Sequence, residues 1–247
     1  MSNLVDLRGI ELNRVKHFFH LGIHVLEIGG GNGFQASLIA ALGANVESID
    51  VAGQPVGGQS HFPVSLYDGR NLPFPDHIFD RVFSSNVLEH ILNLEEALAE
   101  SRRVMKDDGV AIHILPTPAW RMWTSLTHYI HVLMRVTGIR QTDATKSSVL
   151  QPASLMQPIG AWNSVKRVLR AGPHGEYSSA FSELWYFSQK RWTDVFRCNG
   201  FQVVAMAPSN IFYTGYGVFP WMPMAARRVV ARMLGSATRI FVLRKTP

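Results

Sequence analysis

Cysteine is nearly absent from this sequence. Cys198 is the one cysteine among 247 residues. The chain therefore cannot form an internal disulfide bond, and it lacks the paired cysteines of a CxxC metal site. Both absences favour a protein of the reducing cytoplasm.

Long apolar runs are missing as well. No stretch offers the roughly 18 uncharged apolar residues that a membrane-spanning helix requires. The N-terminal stretch lacks the basic region and apolar core of a signal peptide. We expect a cytoplasmic protein, which leaves open a peripheral position at the inner face of the membrane. With 47% hydrophobic and 17% charged residues, the chain is expected to fold as one domain with insertions.

Acidic residues are scarce in the second part of the chain. Residues 151–247 carry 12 Lys and Arg against 3 Asp and Glu, whereas residues 1–150 carry 12 against 15. This asymmetry favours an anionic partner or surface, although the charge could serve solubility alone. The arginines are scattered and no RNA-binding appendage is recognisable, so nucleic acid is not the expected partner.

A glycine-rich turn between a strand and a helix is the most informative stretch. The run VLEIGGGNG, residues 25–33, begins apolar, and Phe34–Leu42 behind it has a helical composition. Glycine suits a backbone that takes positive φ or lies against a ligand, and a helix N-terminus offers unpaired N–H groups. A tight turn without a ligand can carry the same glycines. A second strand, Ala44–Val51, places Asp50 17 positions after Gly33, where a carboxylate can accept two ribose hydroxyls.

The first half of the chain alternates between strand and helix patterns. The predicted elements are the helix Glu11–His20, the strand Ile23–Ile28, the strand His61–Ser65, the strand Phe79–Ser84, the helix Asn93–Met105 closed by Lys106–Gly109, and the strand Val110–Leu115. Such alternation requires right-handed crossovers and predicts a mostly parallel sheet covered on both faces.

Four motifs in a fixed order carry a family resemblance. They are ExGxGxG at the glycine turn, Asp50, YDGRNLPFPDHIFDRVFSSNVLEHI and RVMKDDGVAIHILP. Together they resemble the class I S-adenosylmethionine-dependent methyltransferases, especially the small-molecule branch that includes the ubiquinone and menaquinone methyltransferases. The resemblance implies a Rossmann-like sheet of seven strands, mostly parallel with one antiparallel strand. It also implies S-adenosyl-L-methionine as cofactor and S-adenosyl-L-homocysteine as product.

The resemblance also implies roles for residues of the cofactor site. Glu27 would orient the glycine loop or meet the cofactor's amino group, Asp50 would hold the ribose hydroxyls, and Asp68 would accept from the adenine amino group. The methionine and ribose part would be lined by Gly29, Gly31 and Gly33.

Further positions follow from the same motifs. Leu72 and Phe74 would flank the adenine, and Ser85 or Asn86 would lie near the reacting methyl group. The VLEHI run opens a helix beside the site in many relatives whatever they methylate, so we expect a mainly structural role for its acid and histidine. The ends of strands four and five carry Ser, Asn, Pro and Thr rather than clustered acids, so no metal is expected.

The connection after the fifth strand is about seventy residues long, and loops beyond about 15 residues are usually lids or carry structure of their own. We therefore predict a core of residues 1–115 and 191–247, and a helical and loop insertion, residues 116–190, that forms a substrate cap. Within it, His174 and Glu176 lie two positions apart between Gly and Pro. Histidine titrates near neutrality, which suits a catalytic base, and Glu176 could orient it or bind a sugar hydroxyl. A solvated loop of this composition remains the alternative.

Two amphipathic stretches suggest surfaces of contact. Trp120–Val136 predicts a helix with an apolar stripe from Met122 onward, expected to pack over the sheet edge, in a homodimer, or against a membrane or lipid substrate. The later helix holds Arg228 and Arg232 beside apolar residues, which suits an anionic membrane surface or a core helix with a solvated arginine face.

These features lead to one main functional hypothesis. We expect methyl transfer to an oxygen of a small or lipid-linked acceptor, such as a sugar, glycolipid or natural product. Carbon methylation of a quinone or polyketide ring is the first alternative, and a cofactor-binding interaction protein without catalysis is the second.

Overall fold

The computed structural model describes residues 3–52, 59–136, 180–215, 219 and 221–246. Helices and strands alternate along most of this length. The helices are α1 (Asn3–Val15), α2 (Phe34–Ala40), α3 (Leu94–Val104), α4 (Pro118–Val136), α5 (Ala180–Tyr186), α6 (Gln189–Cys198) and α7 (Met224–Leu234). The strands are β1 (His24–Ile28), β2 (Asn45–Val51), β3 (Ser65–Tyr67), β4 (Phe79–Ser85), β5 (Met105–Pro116), β6 (Phe201–Pro208) and β7 (Thr238–Lys245). Lys16–Phe18 and Leu88–His90 form short 3₁₀ turns.

The seven strands form one sheet in the order β3-β2-β1-β4-β5-β7-β6. Strands β1 to β5 pair in parallel, and β7 runs antiparallel to both of its neighbours. This confirms the predicted Rossmann-like sheet with one antiparallel strand. The strand order reverses between β1 and β4, and open α/β sheets bind ligands in the crevice outside the carboxyl ends of the strands at such a point.

Alternating residues of the central strands pack into two separate hydrophobic cores, one on each face of the sheet. Leu26 and Val82 face the layer that holds α3 and α6, whereas Val25 and Phe83 face the layer that holds α1 and α2. Successive side chains of a strand point to opposite faces, so runs of consecutive apolar residues are needed when both faces are covered. The sheet is therefore a rigid platform for the groups at its carboxyl edge.

Three predicted elements were placed wrongly. The third strand is Ser65–Tyr67 rather than His61–Ser65, because its pairing with β2 begins only at Ser65 opposite Ile49. Residues 106–109 belong to β5 instead of closing α3, since Met105 already pairs with Phe79. The first helix begins at Asn3 and ends at Val15, so it starts earlier and stops earlier than the predicted Glu11–His20.

The apolar stripe of α4 is not covered by the sheet. Met122, Leu126, Tyr129 and Ile130 are exposed. The buried side of the helix is more polar: Arg121 pairs with Glu183 of α5 at 2.7 Å with both side chains almost fully buried. These four side chains therefore do not pack over the sheet edge, and the homodimer and lipid-contact alternatives stay predictions. No helix in the described ranges is long and apolar enough to cross a membrane.

Candidate active site

The glycine turn between β1 and α2 is shaped by contacts that exclude side chains. Gly29 has φ +79°, and a Cβ there would lie 2.3 Å from Cγ2 of Val87. A Cβ on Gly30 would lie 2.0 Å from Oγ of Ser48. Gly31 differs, because its φ is +55° and an added Cβ would meet no atom within 4 Å. The turn is thus packed on its protein side and open at Gly31, which leaves room for a ligand against the backbone.

Glu27 supports this turn from below. Its side chain is buried, and its Oε2 accepts a hydrogen bond of 2.6 Å from the Ser48 hydroxyl. Burial raises the pKa of the Glu27 carboxyl to about 7, while the bond from Ser48 lowers it. Of the two roles predicted for Glu27, these contacts favour orientation of the loop.

Asp50 links the end of β2 to the glycine turn. Its Oδ2 accepts from the backbone N–H of Gly31 at 2.8 Å, and its Oδ1 accepts from the N–H of Val51 at 2.7 Å. A carboxylate has about four lone-pair sites, so both oxygens retain capacity for further donors. The predicted contact with ribose hydroxyls is compatible with this geometry.

Asp68 lies on the turn after β3 and is exposed. Its Oδ1 accepts from the backbone N–H groups of Arg70 and Asn71, both at 2.8 Å, and its Oδ2 accepts from the Asn71 side chain at 3.0 Å. These bonds hold the pKa of the Asp68 carboxyl below its usual range. Asp68, the predicted acceptor for the adenine amino group, therefore also stabilises the turn after β3 through these hydrogen bonds.

The loop that carries the two predicted adenine neighbours is fixed by a pair that the sequence reading missed. The Arg103 guanidinium donates to the carbonyls of Leu72 and Phe74, while Glu100 accepts from the Leu72 N–H at 2.9 Å. Leu72 itself is buried in the core, and Phe74 packs edge-on against Phe79 at 5.0 Å. Opposite charges three positions apart on a helix are common on solvated faces, so the sequence carries no specific signal for this contact.

Helix α1 covers the carboxyl ends of the central strands, which the sequence reading also missed. Arg8 Nη1 donates to the Ser85 hydroxyl at 3.3 Å, and Asn86, with φ +56°, donates its side-chain N–H to the same oxygen at 3.3 Å. Gly9 faces the Phe34 ring. The two predicted residues at the end of β4 thus lie under α1, close to the glycine turn that packs on Val87.

A buried polar cluster joins α1 to the end of the sheet. Glu11 Oε2 accepts from Arg8 at 2.8 Å, and its Oε1 accepts from the hydroxyls of Thr238 at 2.6 Å and Tyr213 at 3.3 Å. Glu89, on the 3₁₀ turn after β4, is 1% exposed, and neither carboxyl oxygen has a hydrogen-bond partner among the described residues. Burial raises the pKa of the Glu89 carboxyl to about 8.

The predicted catalytic residues are not among those that the structure describes. His174 and Glu176 lie outside the described residues, so their roles stay predictions. Among the described residues no group of three or more His, Cys, Asp or Glu side chains is arranged to hold a metal ion.

Comparison with known proteins identifies the class to which this edge belongs. Residues 26–113 match the family model of the methyltransferase domain. Geranyl diphosphate C-methyltransferase from Streptomyces coelicolor, solved with Mg²⁺, geranyl diphosphate and S-adenosyl-L-homocysteine, has the same fold, with a TM-score of 0.55 at 12% identity over 96% of this chain and 80% of that one. Residues 26–113 therefore carry a methyltransferase domain, and the motif order and the sheet agree with the fold of the class I S-adenosylmethionine-dependent methyltransferases.

Two curated relatives show how far sequence similarity extends. The ubiquinone/menaquinone biosynthesis C-methyltransferase UbiE of Bordetella avium is 34% identical over 122 residues, which are 42% of this chain and 48% of that protein. The malonyl-[acyl-carrier protein] O-methyltransferase of Geobacter sulfurreducens is 30% identical over 95 residues, 35% of this chain and 36% of that protein. The chain spans less than half the length of the curated relatives it matches.

The residues at this edge fit the cofactor of that class. The space at Gly31 and the spare acceptor capacity of Asp50 suit a ligand with donor groups, and Glu27 holds the turn in place. When bound, S-adenosylmethionine supplies a methyl group on a positively charged sulfur. The protein's own part is to align this group with the acceptor and to exclude water, which accounts for much of the rate in such transfers.

Proposed function

We propose that this chain transfers a methyl group to an oxygen of a small or lipid-linked acceptor, with sugars, glycolipids and natural products as the candidate classes. The observation that carries the lipid-linked part is a cleft beside the glycine turn. It has a volume of about 420 Å³ and is lined by Val5, Asp6, Gly9, Ile10, Phe34 and Met224. The cleft is open to solvent along most of its length, and its lining is mostly apolar.

The residues that line the cleft are neighbours, along the chain, of residues at the cofactor edge. Phe34 directly follows Gly33 of the glycine turn, and Arg8, the neighbour of Gly9, bonds to Ser85 at the end of β4. Met224 is the first residue of α7. An acceptor whose reactive end lies at β4 could therefore place an apolar chain in the cleft and extend toward α7.

Helices α4 and α7 form an apolar and basic surface next to this exit. Its exposed apolar members are Met122, Leu126, Tyr129, Ile130, Val229 and Met233, and the exposed Trp221 lies just before α7. Arg228 and Arg232 are exposed on the same helix as Val229, and the Trp123 indole N–H donates to the Leu234 carbonyl at 2.9 Å, which ties the two helices together. Apolar side chains beside arginines suit the inner, anionic face of a membrane.

Oxygen as the accepting atom rests on other support. The sequence offers His174 as a base and Glu176 as its partner or as a sugar ligand, within the predicted cap of residues 116–190. The similarity to an O-methyltransferase of Geobacter sulfurreducens adds to it. Carbon methylation of a quinone or polyketide ring is the second candidate, favoured by the similarity to the Bordetella avium C-methyltransferase.

A labelled-methyl screen tests the proposal. The purified chain is incubated with S-adenosylmethionine that carries carbon-13 in the methyl group, together with separate glycolipid, quinone and RNA pools. We expect label in the lipid pool, with the chemical shift of a methyl group on oxygen. A shift typical of methyl on carbon would establish the second candidate, and label in RNA alone would contradict both.

A variant pair examines the cleft in the same assay. Gly9→Trp fills the cleft from α1 without touching the glycine turn, and Asn13→Trp places the same side chain on an exposed part of that helix. We expect Gly9→Trp to lose at least about tenfold in transfer to a lipid-linked acceptor while it still binds cofactor, since a blocked pocket costs binding energy. Equal activity of both variants would contradict the role of the cleft.

A further inference from the structure

Glu89 is a buried acid whose ion pair among the described residues is with the partly exposed His90, at 3.9 Å. Both carboxyl oxygens are buried and have no hydrogen-bond partner among the described residues. A buried carboxylate without a partner is strongly disfavoured, so such a group stays neutral until a cation is supplied. Packing alone does not explain an acid at this position, because the free energy of burying a leucine or glutamine side chain there would be less unfavourable.

The charges around Glu89 do not balance it. The titratable groups that act on it are Arg8 and Glu11 of α1, His90 of its own turn, and Tyr213 after β6. Arg8 is already paired with Glu11 at 2.8 Å, while His90 is 3.9 Å from Glu89 and 40% exposed. The Arg8 guanidinium is thus the shared cation of two carboxyl groups, and its close ion pair is with Glu11 rather than with Glu89.

The position of Glu89 points to the cation that would complete the balance. Its turn follows Ser85 and Asn86 at the end of β4, and Val87 of the same segment packs against Gly29 of the glycine turn. A sulfonium bound at that turn would lie beside the segment that carries Glu89, whose carboxyl is buried, and charges interact more strongly through a buried region than in water.

We propose that Glu89 is the counter-charge of the sulfonium: it ionises when S-adenosylmethionine binds and takes up a proton when the methyl group leaves. The bond from the acceptor to the methyl carbon forms as the carbon–sulfur bond breaks, and that electron pair stays on sulfur. The acceptor loses one proton and Glu89 gains one, so charge and protons balance for acceptors that react through oxygen or through carbon. This inference rests on the class of the protein and is independent of the acceptor proposed above.

The role described is that of a positioning residue, because Glu89 is covered by its neighbours. Arg8 helps to hold the site together through Ser85 and Glu11. Loss of the sulfonium charge leaves the Glu89 carboxylate unpaired, which favours its protonation and makes the product state electrically neutral. The site thereby distinguishes the charged cofactor from its uncharged product.

Proton counting by calorimetry tests the inference. Binding enthalpies of S-adenosylmethionine and S-adenosylhomocysteine are measured at pH 7 in buffers of different ionisation enthalpy, and the slope gives the protons released. We expect the charged cofactor to release up to about one proton more than the product, since a carboxyl with pKa near 8 is mostly protonated at pH 7. Equal release by both ligands in the unmodified protein would overturn the proposal without any variant.

Two substitutions assign the proton. In Glu89→Gln the difference between the ligands should vanish, whereas Glu95→Gln, which removes the same charge from the exposed first turn of α3, should keep it. Protons that the two ligands themselves take up or release do not affect the comparison between variants, because the same two ligands are used with each variant. If Glu89→Gln still shows the difference, the responding group is another acid, with Glu27 the foremost, and the proposal is wrong. We also expect Glu89→Gln to bind S-adenosylmethionine more weakly while its affinity for S-adenosylhomocysteine changes less, since the variant loses the charge that balances the sulfonium.

Discussion

Gly30 occupies a position where no side chain fits, although the motif reading assigned roles only to its alternate neighbours. In Gly30→Ala the new Cβ would meet the Ser48 hydroxyl and lie 3.1 Å from Glu27 Oε2. We expect a loss of about 1 to 3 kcal/mol in the free energy of unfolding, the usual range for overpacking, measured by urea denaturation.

Gly31→Ala is the matched control for that prediction. Its Cβ would enter open space, so the stability loss should be only the roughly 1–2 kcal/mol cost of a left-handed residue, while affinity for S-adenosylmethionine should fall further than in Gly30→Ala. The reverse order of affinities would mean that the ligand does not lie against Gly31.

The raised pKa of Glu89 predicts the pH dependence of stability. The carboxyl has a pKa of about 8 in the folded chain against a usual value of 4.5, so unfolding releases a proton between these pH values. Stability should therefore fall as pH rises from about 5 to 8, by up to about 1.4 kcal/mol per pH unit from this group alone. Glu27 acts in the same direction over a narrower range.

The check uses thermal or urea unfolding of the unmodified chain and Glu89→Gln at pH 5 and pH 8. The variant should gain stability relative to the unmodified chain as pH rises. A difference that stays constant between the two pH values would show that Glu89 titrates normally.

Among the elements, the loop before β4 depends on one guanidinium of α3. Arg103 bonds to the carbonyls of Leu72 and Phe74 and to the carboxylates of Asp76 and Glu100. In Arg103→Met these acceptors lose their donor, and we expect a loss of about 2 kcal/mol in unfolding free energy, since hydrogen bonds to charged groups contribute roughly 1.5–3 kcal/mol. Arg70→Met, on an exposed side chain of the same loop, should change stability by less than about 0.5 kcal/mol. Similar losses in both variants would contradict the assignment.

Helix α7 gives a prediction about surfaces. Arg228→Glu with Arg232→Glu should abolish co-sedimentation with anionic liposomes at low salt, because each basic residue near such a surface contributes about 1 kcal/mol. Arg14→Glu with Lys16→Glu makes the same charge change in the last turn of α1 and the 3₁₀ turn that follows it, and should leave binding intact. No sedimentation of the unmodified chain would count against a membrane contact, and the exposed stripe of α4 would then be assigned to a second copy if the chain proved dimeric by light scattering.

At the scale of the whole molecule, the sequence predicted the sheet better than the site. The alternation of strand and helix patterns predicted the parallel strands, because those patterns reflect burial on two faces, whereas the antiparallel strand was implied by the family resemblance. The position of α1 over the carboxyl ends of the central strands was not predicted. Its residues Arg8 and Glu11 contact Ser85, Tyr213 and Thr238, which lie far away in the chain. Local pattern cannot report such pairings, and the same holds for the bond that Arg103 makes to Leu72.

The hydrogen bond of 2.6 Å between Thr238 and Glu11 joins two residues 227 positions apart. Its consequence concerns the order of biosynthesis. A ribosome releases α1, the glycine turn and β4 long before residue 238, so the sheet's first five strands can assemble while Glu11 still lacks that donor, as domains commonly form during synthesis. The contact that fixes α1 over the site is therefore completed by the last of the described strands, and a nascent chain halted before β7 would carry every cofactor motif while Glu11 lacks the Thr238 donor.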